Sequence, residues 1–458
     1  MLRRSLQGEA RTVRSRHSGM RQWARPLLVA LVAIVIISSG LLVTVEAVIG
    51  GLDTTFSTDG RQTTDFGPNT VGESIAVQTD GKIVVVGLIN NSSGNDFALA
   101  RYTSAGILDT TFSTDGKQTT DFGGGDDAFA VAIQTDGKIV VAGTTAVGST
   151  KDFAVARYTS NGTLDTTFST DGKVTTSFGN SDNAHAVAIQ ANGRIVVAGD
   201  TANSTSNSDF AIARYNTNGT LDTTFSTDGK QTTGFGGYDS AYGVAIQANA
   251  KIVVAGVRDL FGSPDVVLAR YTGTGSLDTT FSTDGKQPVN FGSDSVGGDV
   301  AIQSDGKIVV VGDVRLTATD ANFALARYNG NGSLDDGSVN DSTPNDSFGT
   351  GGHVTTDFFG SQDIPTAVAI QTNGKIVVGG VASHSNDTNR DFAVARYTTD
   401  GSLDNTFHND GRQTVGFTSG SGDSAADLAI QSDGKIVLAG VTIKSTGIDF
   451  ALVRLIGD

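Results

Sequence analysis

The chain has 458 residues, a formal net charge of −16, 59 glycines, six prolines and no cysteine. This length is enough for about three ordinary domains or for one large repeat structure. With 38% apolar residues, the composition is that of a folded protein. The absence of cysteine excludes disulfides, thiol catalysis, iron–sulfur clusters and cysteine-based zinc sites.

The charge is distributed unevenly along the chain. Residues 1–47 contain seven Arg and two Glu, which leaves 25 basic and 46 acidic residues in the remainder. Almost all of these acids are Asp, since Glu73 is the only Glu after Glu46. Asp in place of Glu indicates turns, where a short carboxylate accepts hydrogen bonds from nearby backbone N–H groups. We expect no binding of nucleic acid, because neutralising phosphates requires Lys and Arg.

The N-terminal segment predicts export. Residues 1–26 form an Arg-rich head, and residues 27–45 contain no charge. Nineteen residues approach the ~20 that a membrane-spanning helix needs, whereas a signal-peptide core has only about 7–15. We therefore predict one hydrophobic helix in residues 27–47 that anchors the protein, although Val45-Glu46-Ala47 resembles a cleavage site. Residues 48–458 would lie outside the cytoplasm in either case, membrane-bound or secreted after cleavage near Ala47.

One unit recurs from residue 51 onward. The string "DGKIVVVG" at Asp80 returns in variant form at Asp136, Asn192, Asn249, Asp305, Asn373 and Asp433. A period of this size is typical of a propeller or a solenoid. Each unit contains four β-like segments, "KQTTDFG", "AVAIQ", "KIVVAG" and "DFAVARY", and "TDG" marks a hairpin between the second and the third.

The repeat predicts an all-β fold. The run Ile139-Val140-Val141-Ala142 requires burial on both faces, which side-by-side stacking of sheets provides. Seven units of four antiparallel strands predict a seven-bladed β-propeller over residues 48–458, with a β-solenoid as the alternative. The last unit lacks the "LDTTF" string that follows every other fourth strand, and a copy stands alone at Leu52. We therefore expect the N-terminal segment to close the ring.

The units "GTLDTTFSTDGKVTTSFG" (residues 162–179), "AVAIQANGRIVVAG" (residues 186–199) and "DFAIARYNTNG" (residues 209–219) resemble the delta-60 repeat family. The resemblance covers about nine-tenths of the chain. It implies a β-propeller in a bacterial, extracytoplasmic setting and brings no defined catalytic residues. The fifth connection, residues 334–354, departs from the pattern by a dozen extra residues.

The repeated strings are better explained as architecture than as chemistry. "LDTTFSTDGK" is expected to connect one blade to the next, with its Leu and Phe filling the gap between blades. An Arg recurs in every fourth strand, and it is expected to pair with the Asp of the following "LD", because an unpaired buried charge is costly. Ring closure then requires Arg454 to contact Asp53 at ~4 Å or less. The alternative is an anion-binding ring of these residues: Arg101, Arg157, Arg214, Arg270, Arg327, Arg396 and Arg454.

No catalytic, cofactor-binding or metal-ligating residue is assigned from the sequence. Calcium is the one ion for which candidate loops exist, namely "GGGDDAF" (residues 123–129) and the acidic insert at residues 335–346, but neither has EF-hand spacing. Four His residues follow the N-terminal head, at unequal positions of their units, and are expected to be scattered: His185, His353, His384 and His408.

Function is expected at one end of the propeller. The variable loops follow the first and third segments of each unit and should emerge on the same face, where recognition is usually built. The leading hypothesis is a non-enzymatic, monomeric scaffold that binds an unknown protein or glycan. Alternatives are an extracytoplasmic polysaccharide hydrolase or lyase and a purely structural surface protein. Convergence of non-repeated acids or His at the channel mouth would favour an enzyme.

Overall fold

The computed structural model describes residues 31–33, 44–46 and 48–458, apart from positions 68, 93, 205–206, 261, 318, 340, 345, 385–388, 418–421 and 446. The chain divides into two units, Met1–Ala47 and Val48–Asp458. In the first, strands Leu31–Ala33 and Thr44–Glu46 pair antiparallel. Most of the predicted helix in residues 27–47 lies outside the described residues, so that helix is not confirmed. Within the described ranges, no helix is long and apolar enough to cross a membrane.

The second unit is the predicted seven-bladed β-propeller. It consists of seven four-stranded antiparallel sheets. We number these blades 1–7 and name the strands of each blade inner, second, third and outer, from the central axis to the rim.

The bounds of the strands are similar from blade to blade. Blades 1–4 consist of Thr70–Val77, Ile83–Asn91, Gly94–Tyr102 and Lys117–Thr120; Asp126–Ile133, Ile139–Val147, Thr150–Tyr158 and Lys173–Thr176; Asp182–Ile189, Ile195–Ser204, Asn207–Tyr215 and Lys230–Thr233; and Ser240–Ile246, Ile252–Arg258, Asp265–Tyr271 and Lys286–Val289. Blades 5–7 consist of Gly297–Ile302, Ile308–Thr317, Asp320–Tyr328 and His353–Thr356; Asp363–Ile370, Ile376–Ser383, Arg390–Tyr397 and Arg412–Val415; and Asp423–Ile430, Ile436–Lys444, Gly447–Leu455 and Arg61–Thr64.

The structure corrects the phase of the repeat. The "KQTT" segment was expected to open a unit, but it is the outer strand of the preceding blade: Lys117–Thr120 pairs with Gly94–Tyr102 and not with the strand that follows it. "LDTTFSTDG" therefore connects the third and outer strands of one blade, and the short loop after "KQTTDF" crosses to the next blade. The prediction that "LDTTF" joins two blades was wrong in this respect.

The second strands form the most buried layer, as their composition predicts. Ile139, Val140, Val141 and Ala142 are fully buried, because neighbouring blades cover both faces of the sheet. Their neighbours across the interfaces include Phe residues of "LDTTF". Phe112 of blade 1 is fully buried and packs among blade 2 residues. A Cβ placed on Gly162 of blade 2 would lie 2.7 Å from that ring, so the turn requires glycine for close approach as well as for its φ of +93°.

The ring is closed by strand exchange between the chain ends. The strand Arg61–Thr64 is the outer strand of blade 7 and pairs antiparallel with Gly447–Leu455. Leu52 forms a further bridge to Leu455. The N-terminal segment thus supplies both the "LDTTF" string and a whole strand, which is more than the sequence predicted.

Candidate functional site in the axial channel

The two ends of the propeller differ in composition, as expected. Backbone hydrogen bonds join the blade-crossing loops to the ends of the second strands: Ala146 N–H donates to Gly125 O and Leu260 N–H donates to Tyr238 O. The two sets of variable loops therefore share one end, which we call the variable end. The repeated "TDG" and "LDTTF" turns occupy the opposite end.

A β-bulge interrupts every inner strand at the same position. In blade 2, for example, the register with the second strand shifts between Ala128 and Ala130, which leaves Phe129 unpaired. A bulge re-aims the side chain of the extra residue. In the seven blades this position is occupied by seven different residue types: Glu73, Phe129, His185, Tyr242, Gly298, Thr366 and Ala426.

These bulge residues line one cavity of about 630 Å³ on the propeller axis. All seven inner strands contribute to its wall. A volume of this size falls within the range of about 300–1,000 Å³ that is usual for small-molecule sites. We call this space the axial cavity. The repeated architecture therefore brings non-repeated side chains together at its centre.

One side of the axial cavity carries three ring systems from successive blades. The rings of Phe129 and His185 are 5.4 Å apart between centroids, and those of His185 and Tyr242 are 5.2 Å apart, both tilted. The Nε2 atom of His185 lies 2.9 Å from Oδ1 of Asp200, which fixes the orientation of the imidazole. These rings form a continuous aromatic arc in the cavity wall.

Carboxyl groups occupy other parts of the cavity wall. Burial, together with the nearby charge of Asp127, raises the pKa of Glu73 to about 7. Burial raises the pKa of Asp299 to about 7 and that of Asp427 to about 6. Desolvation has this effect because it disfavours the charged form of an acid. The three carboxyls are therefore neutral for part of the time near pH 7.

Two of these carboxylates also join neighbouring inner strands. Asp427 of blade 7 accepts hydrogen bonds from Ser74 Oγ (2.7 Å) and Ile75 N–H (3.0 Å) of blade 1. Asp299 of blade 5 accepts one from Val368 N–H of blade 6 at 2.8 Å. Glu73 differs from both: its carboxylate has no hydrogen-bond or ion-pair partner among the residues that the structure describes.

The recurrent Arg residues form the predicted ion pairs. In six of the seven pairs, the distance from Arg Nε to Asp Oδ2 is between 2.7 and 2.9 Å. The contact between Arg454 and Asp53, at 2.9 Å, confirms the closure of the ring from opposite ends of the chain. The pairs are Arg101–Asp109, Arg157–Asp165, Arg214–Asp222, Arg270–Asp278, Arg327–Asp335, Arg396–Asp404 and Arg454–Asp53.

The other contacts of these Arg residues connect neighbouring blades. Arg157 Nη1 donates to Thr217 O of blade 3 at 2.5 Å, and its guanidinium carbon lies 4.7 Å from the centroid of Phe168. In blade 6, Arg396 Nη2 contacts Asp458 Oδ1 at 2.9 Å, where the chain end replaces the turn of a following blade. All seven Arg residues are buried, and these internal contacts do not support the alternative of an anion-binding ring.

The acidic insert lies at the opposite end from the axial cavity, between the third and outer strands of blade 5. Lys307 Nζ contacts Asp335 Oδ2 at 2.8 Å and Asp346 Oδ2 at 2.5 Å. Asp335 also pairs with Arg327. Because protein cations already neutralise these carboxylates, the insert is poorly suited to calcium.

A second group of carboxylates is better arranged to hold a cation. Oxygens of Asp96, Asp121 and Asp126 lie within 4.8 Å of one another at the variable end. Asp126 belongs to the predicted calcium loop and also accepts the N–H of Phe122 at 2.6 Å. Calcium at residues 123–129 stays a prediction, now with Asp96 and Asp121 as the accompanying ligands.

The four His residues have different environments. His185 lines the axial cavity, whereas the expectation was that all four would be scattered. His353 packs edge-on against Phe291, and His384 stacks on Phe359 with its Nε2 atom 3.1 Å from Asp391. His408 lies in a turn at the opposite end, with Nδ1 3.1 Å from Arg412 O.

Sequence reasoning missed the axial cavity, although one signal could have revealed it. When the repeats are aligned on "DGKIVV", the column seven residues before the turn Asp or Asn contains seven different residues. The last four columns of "AVAIQ" are nearly uniform, whereas its first column also varies and contains Asp299 and Asp427. A variable column inside an otherwise repeated strand indicates a position that faces something other than the repeat itself.

Solved structures with a similar backbone include a protein of unknown function and two polysaccharide lyases. A protein of unknown function from Dyadobacter fermentans is 10% identical, with 87% of this chain and 100% of that chain covered and a TM-score of 0.47. The polysaccharide lyase Uly1 is 12% identical, with coverages of 86% and 91% and a TM-score of 0.48. An ulvan lyase of family PL25 is 14% identical, with coverages of 86% and 96% and a TM-score of 0.49.

These distant likenesses carry no conclusion about activity. No curated protein sequence matches this chain. A family model described as "Domain of unknown function (DUF5122) beta-propeller" does match, once in each blade, at residues 78–112, 134–168, 190–225, 247–281, 303–337, 371–407 and 431–456. Each matched segment covers the second and third strands and lies outside the bulge position, and the first six continue into the connection after the third strand. Because they comprise more than half of the chain, the protein belongs to the DUF5122 beta-propeller family.

Proposed function

We propose that the protein is a non-enzymatic binding scaffold that takes up part of a glycan or protein at the variable end of its axial channel. The observation that carries this proposal is the set of seven different residues at the bulge position of seven otherwise repeated inner strands. A purely structural ring has no need of such variety. The proposal includes export, with residues 27–45 as an anchor or a cleaved signal and the propeller outside the cytoplasm.

Other features support this assignment. The variable loops surround the same end at which the axial cavity is lined by the bulge residues, and variable loops on a rigid scaffold are typical of recognition sites. The resemblance to the delta-60 repeat implies an extracytoplasmic setting, which agrees with the proposed export.

Filling the axial cavity tests the proposal. The full-length protein would be screened against a panel of glycans and bacterial surface proteins, and the hits would be measured again with Ala426→Trp. Ala426 lines the cavity, so the indole should occupy it without removing any polar group. We expect binding to fall at least tenfold with this variant.

The matched control is Ser160→Trp, which places the same side chain on an exposed turn of the opposite end. It should bind as the wild type does. If every ligand found in the screen binds Ala426→Trp normally, or if binding is lost only with Ser160→Trp, the axial cavity is not the site.

A polysaccharide hydrolase is the second candidate. Glycoside hydrolysis requires one carboxylic acid that stays protonated and a second, ionised carboxylate. The raised pKa of Glu73, Asp299 and Asp427 within one cavity would supply the protonated acid that this candidate needs. A lyase is disfavoured, because its uronate substrate would meet like charge. Release of reducing ends from a polysaccharide panel, abolished by Glu73→Gln, would establish hydrolysis; binding without release would support the scaffold.

A further inference from the structure

We propose that the axial cavity binds a saccharide that carries free, protonated amino groups. This inference rests on the proposed function, because it names the ligand class of the same site. It stands on three observations: the charge of the cavity wall, the aromatic arc and the unpaired carboxylate of Glu73.

The charges of the cavity wall favour a cation. Glu73, Asp299, Asp313 and Asp427 line the cavity, and Arg315 is the one Lys or Arg among the lining residues that the structure describes. Arg315 Nε is 3.3 Å from Asp313 Oδ2, so its charge is already offset. A cleft lined by one sign of charge attracts the opposite sign, because its low-dielectric walls focus the field. An anionic polymer would be repelled.

The aromatic arc fits both parts of an amino sugar. A cation within about 6 Å of an aromatic centroid is attracted by the ring quadrupole. Phe129 and Tyr242 flank His185 at centroid distances near 5 Å, so the arc presents adjacent rings rather than one isolated face. Such rings also offer apolar area for the C–H face of a pyranose.

Glu73 supplies the specific partner. It is the only Glu in residues 48–458, it lies at the bulge position of blade 1, and none of the described donors or cations pairs with it. Glu73 is half-buried, and a carboxylate withdrawn from water without a partner is costly to ionise, which together with the charge of Asp127 accounts for its raised pKa. A protonated amine would offset that cost, because a charge-assisted hydrogen bond favours the ionised carboxylate.

This mode of binding predicts the release of protons. The amine should shift the carboxyl groups of the cavity toward their charged forms, so affinity should rise as pH increases from about 5 to 7 and fall at higher pH, where the sugar amine loses its own proton. The titratable and charged groups around the cavity form four sets and one single residue. Glu73 lies near Asp127, which pairs with Lys151, and Asp299 lies near Asp427. His185 contacts Asp200, Arg315 pairs with Asp313, and Tyr242 is the single residue.

Three matched oligosaccharides test the inference on the full-length protein: oligomers of glucosamine, of N-acetylglucosamine and of glucuronic acid. They present positive, neutral and negative charge on similar rings. By calorimetry we expect glucosamine oligomers to bind at least about tenfold tighter than the neutral series, and the anionic series not to bind. Salt should weaken the first interaction, and calorimetry in buffers of different ionisation enthalpy should reveal the released protons.

Variants assign the contact. Glu73→Gln should weaken glucosamine binding roughly tenfold to a hundredfold, since hydrogen bonds to charged groups are worth about 1.5–3 kcal/mol, whereas His384→Gln, outside the cavity, should have no effect. Thermal unfolding of each variant establishes that it is folded.

Equal or tighter binding of the neutral oligomers would overturn the inference, and so would failure of all three series to bind. In either case the proposed function is judged separately, by the panel screen with Ala426→Trp. Equal binding of oligolysine would show a cation site without preference for a saccharide, and it would also overturn the inference.

Discussion

Replacing Asp53 by Asn tests how firmly the N-terminal segment holds the ring closed. Asp53 is 4% exposed, and its Oδ2 atom lies 2.9 Å from Arg454 Nε and 3.4 Å from Lys435 Nζ. Asparagine keeps the shape and can still accept the N–H of Thr55, which now donates to Asp53 Oδ1 at 3.0 Å. It removes the charge that offsets buried Arg454. Leaving one member of a buried ion pair alone costs about 3–5 kcal/mol.

Hydrogen exchange locates this loss. Arg61–Thr64 is an edge strand, so its amides that point toward Gly447–Leu455 are protected by that pairing and their exchange reports on opening of the seam, whereas Arg61 N–H donates to Asp59 Oδ1. A loss of about 3 kcal/mol corresponds to more than a hundredfold faster exchange, because 1.4 kcal/mol is a factor of ten. We therefore expect D53N to accelerate exchange in Arg61–Thr64 by about two orders of magnitude.

An internal pair provides the matched control. Asp165→Asn breaks the corresponding pair with Arg157 in blade 2. Lys138 Nζ lies 3.2 Å from Asp165 Oδ2 and is the equivalent of Lys435 at the seam. That blade is continuous in the chain, so exchange in Lys173–Thr176 should change less than exchange in the seam strand does. If D53N leaves the protection of Arg61–Thr64 at its wild-type level, the ion pair does not hold the seam and the reasoning is refuted.

Three further predictions concern the ends of the chain and pH. Deleting residues 51–56 should lower the melting temperature far more than trimming residues 457–458, because the first change removes half-buried Leu52 and fully buried Phe56, the latter alone worth roughly 3–5 kcal/mol; equal effects would argue against the closed ring. Although burial opposes ionisation, the hydroxyl, amide and guanidinium partners of Asp109 lower its pKa to about 2, whereas burial raises that of Asp299 to about 7. The pKa of an Asp in the unfolded chain is about 3.9. The ionised Asp109 therefore stabilises the fold at pH 4 and above, and this contribution is lost as pH falls from about 4 through 2, whereas the neutral Asp299 destabilises the fold increasingly as pH rises from about 4 to 7. The urea midpoint should accordingly peak near pH 4 and not at neutrality. Detergent should be needed to extract the full-length protein, and recovery of a soluble form that begins at Val48 would show cleavage instead.

The sequence was sufficient to predict the fold because the same pattern of strands occurs seven times. Seven copies of an apolar run such as residues 139–142 require burial on both faces, and only stacked sheets provide it. The recurrent Arg had to find a carboxylate, and its constant spacing from the next Asp identified the partner. Together with the "LDTTF" string that the last unit lacks and that stands alone at Leu52, this spacing placed Arg454 beside Asp53.

The phase of the repeat could not be obtained in the same way. Four segments in a repeating order are compatible with any assignment of the first strand. Tight loops usually make hairpins, yet here the short loop after "KQTTDF" crosses between blades, and the long "LDTTF" connection stays within one sheet. The choice depends on the fit of Phe112 into the next blade, which is a property of packing and not of local sequence.

The candidate site escaped prediction for a related reason. Glu73 and Tyr242 are far apart in the sequence and belong to blades 1 and 4. They meet in one cavity only because the ring returns every inner strand to a common axis. The expectation that His185 lies apart from any site rested on the unequal positions of the His residues in their units. Comparison with the residues in the same column of the repeat places it in the variable bulge position instead.

The strand that the N-terminal segment lends to blade 7 constrains how the protein is made. Thr55 and Arg454, which meet at the seam, are 399 positions apart, so blade 7 is incomplete until the last residues have left the ribosome. Blades 1–6 are contiguous and can form as the chain emerges, while Arg61–Thr64 waits as an open β-edge. A chain that stalls before residue 447 would keep that edge exposed and available to another incomplete copy. The exposed edge is therefore covered only at the end of synthesis, when Gly447–Leu455 becomes available. Until then a nascent chain can pair through this edge with another incomplete chain.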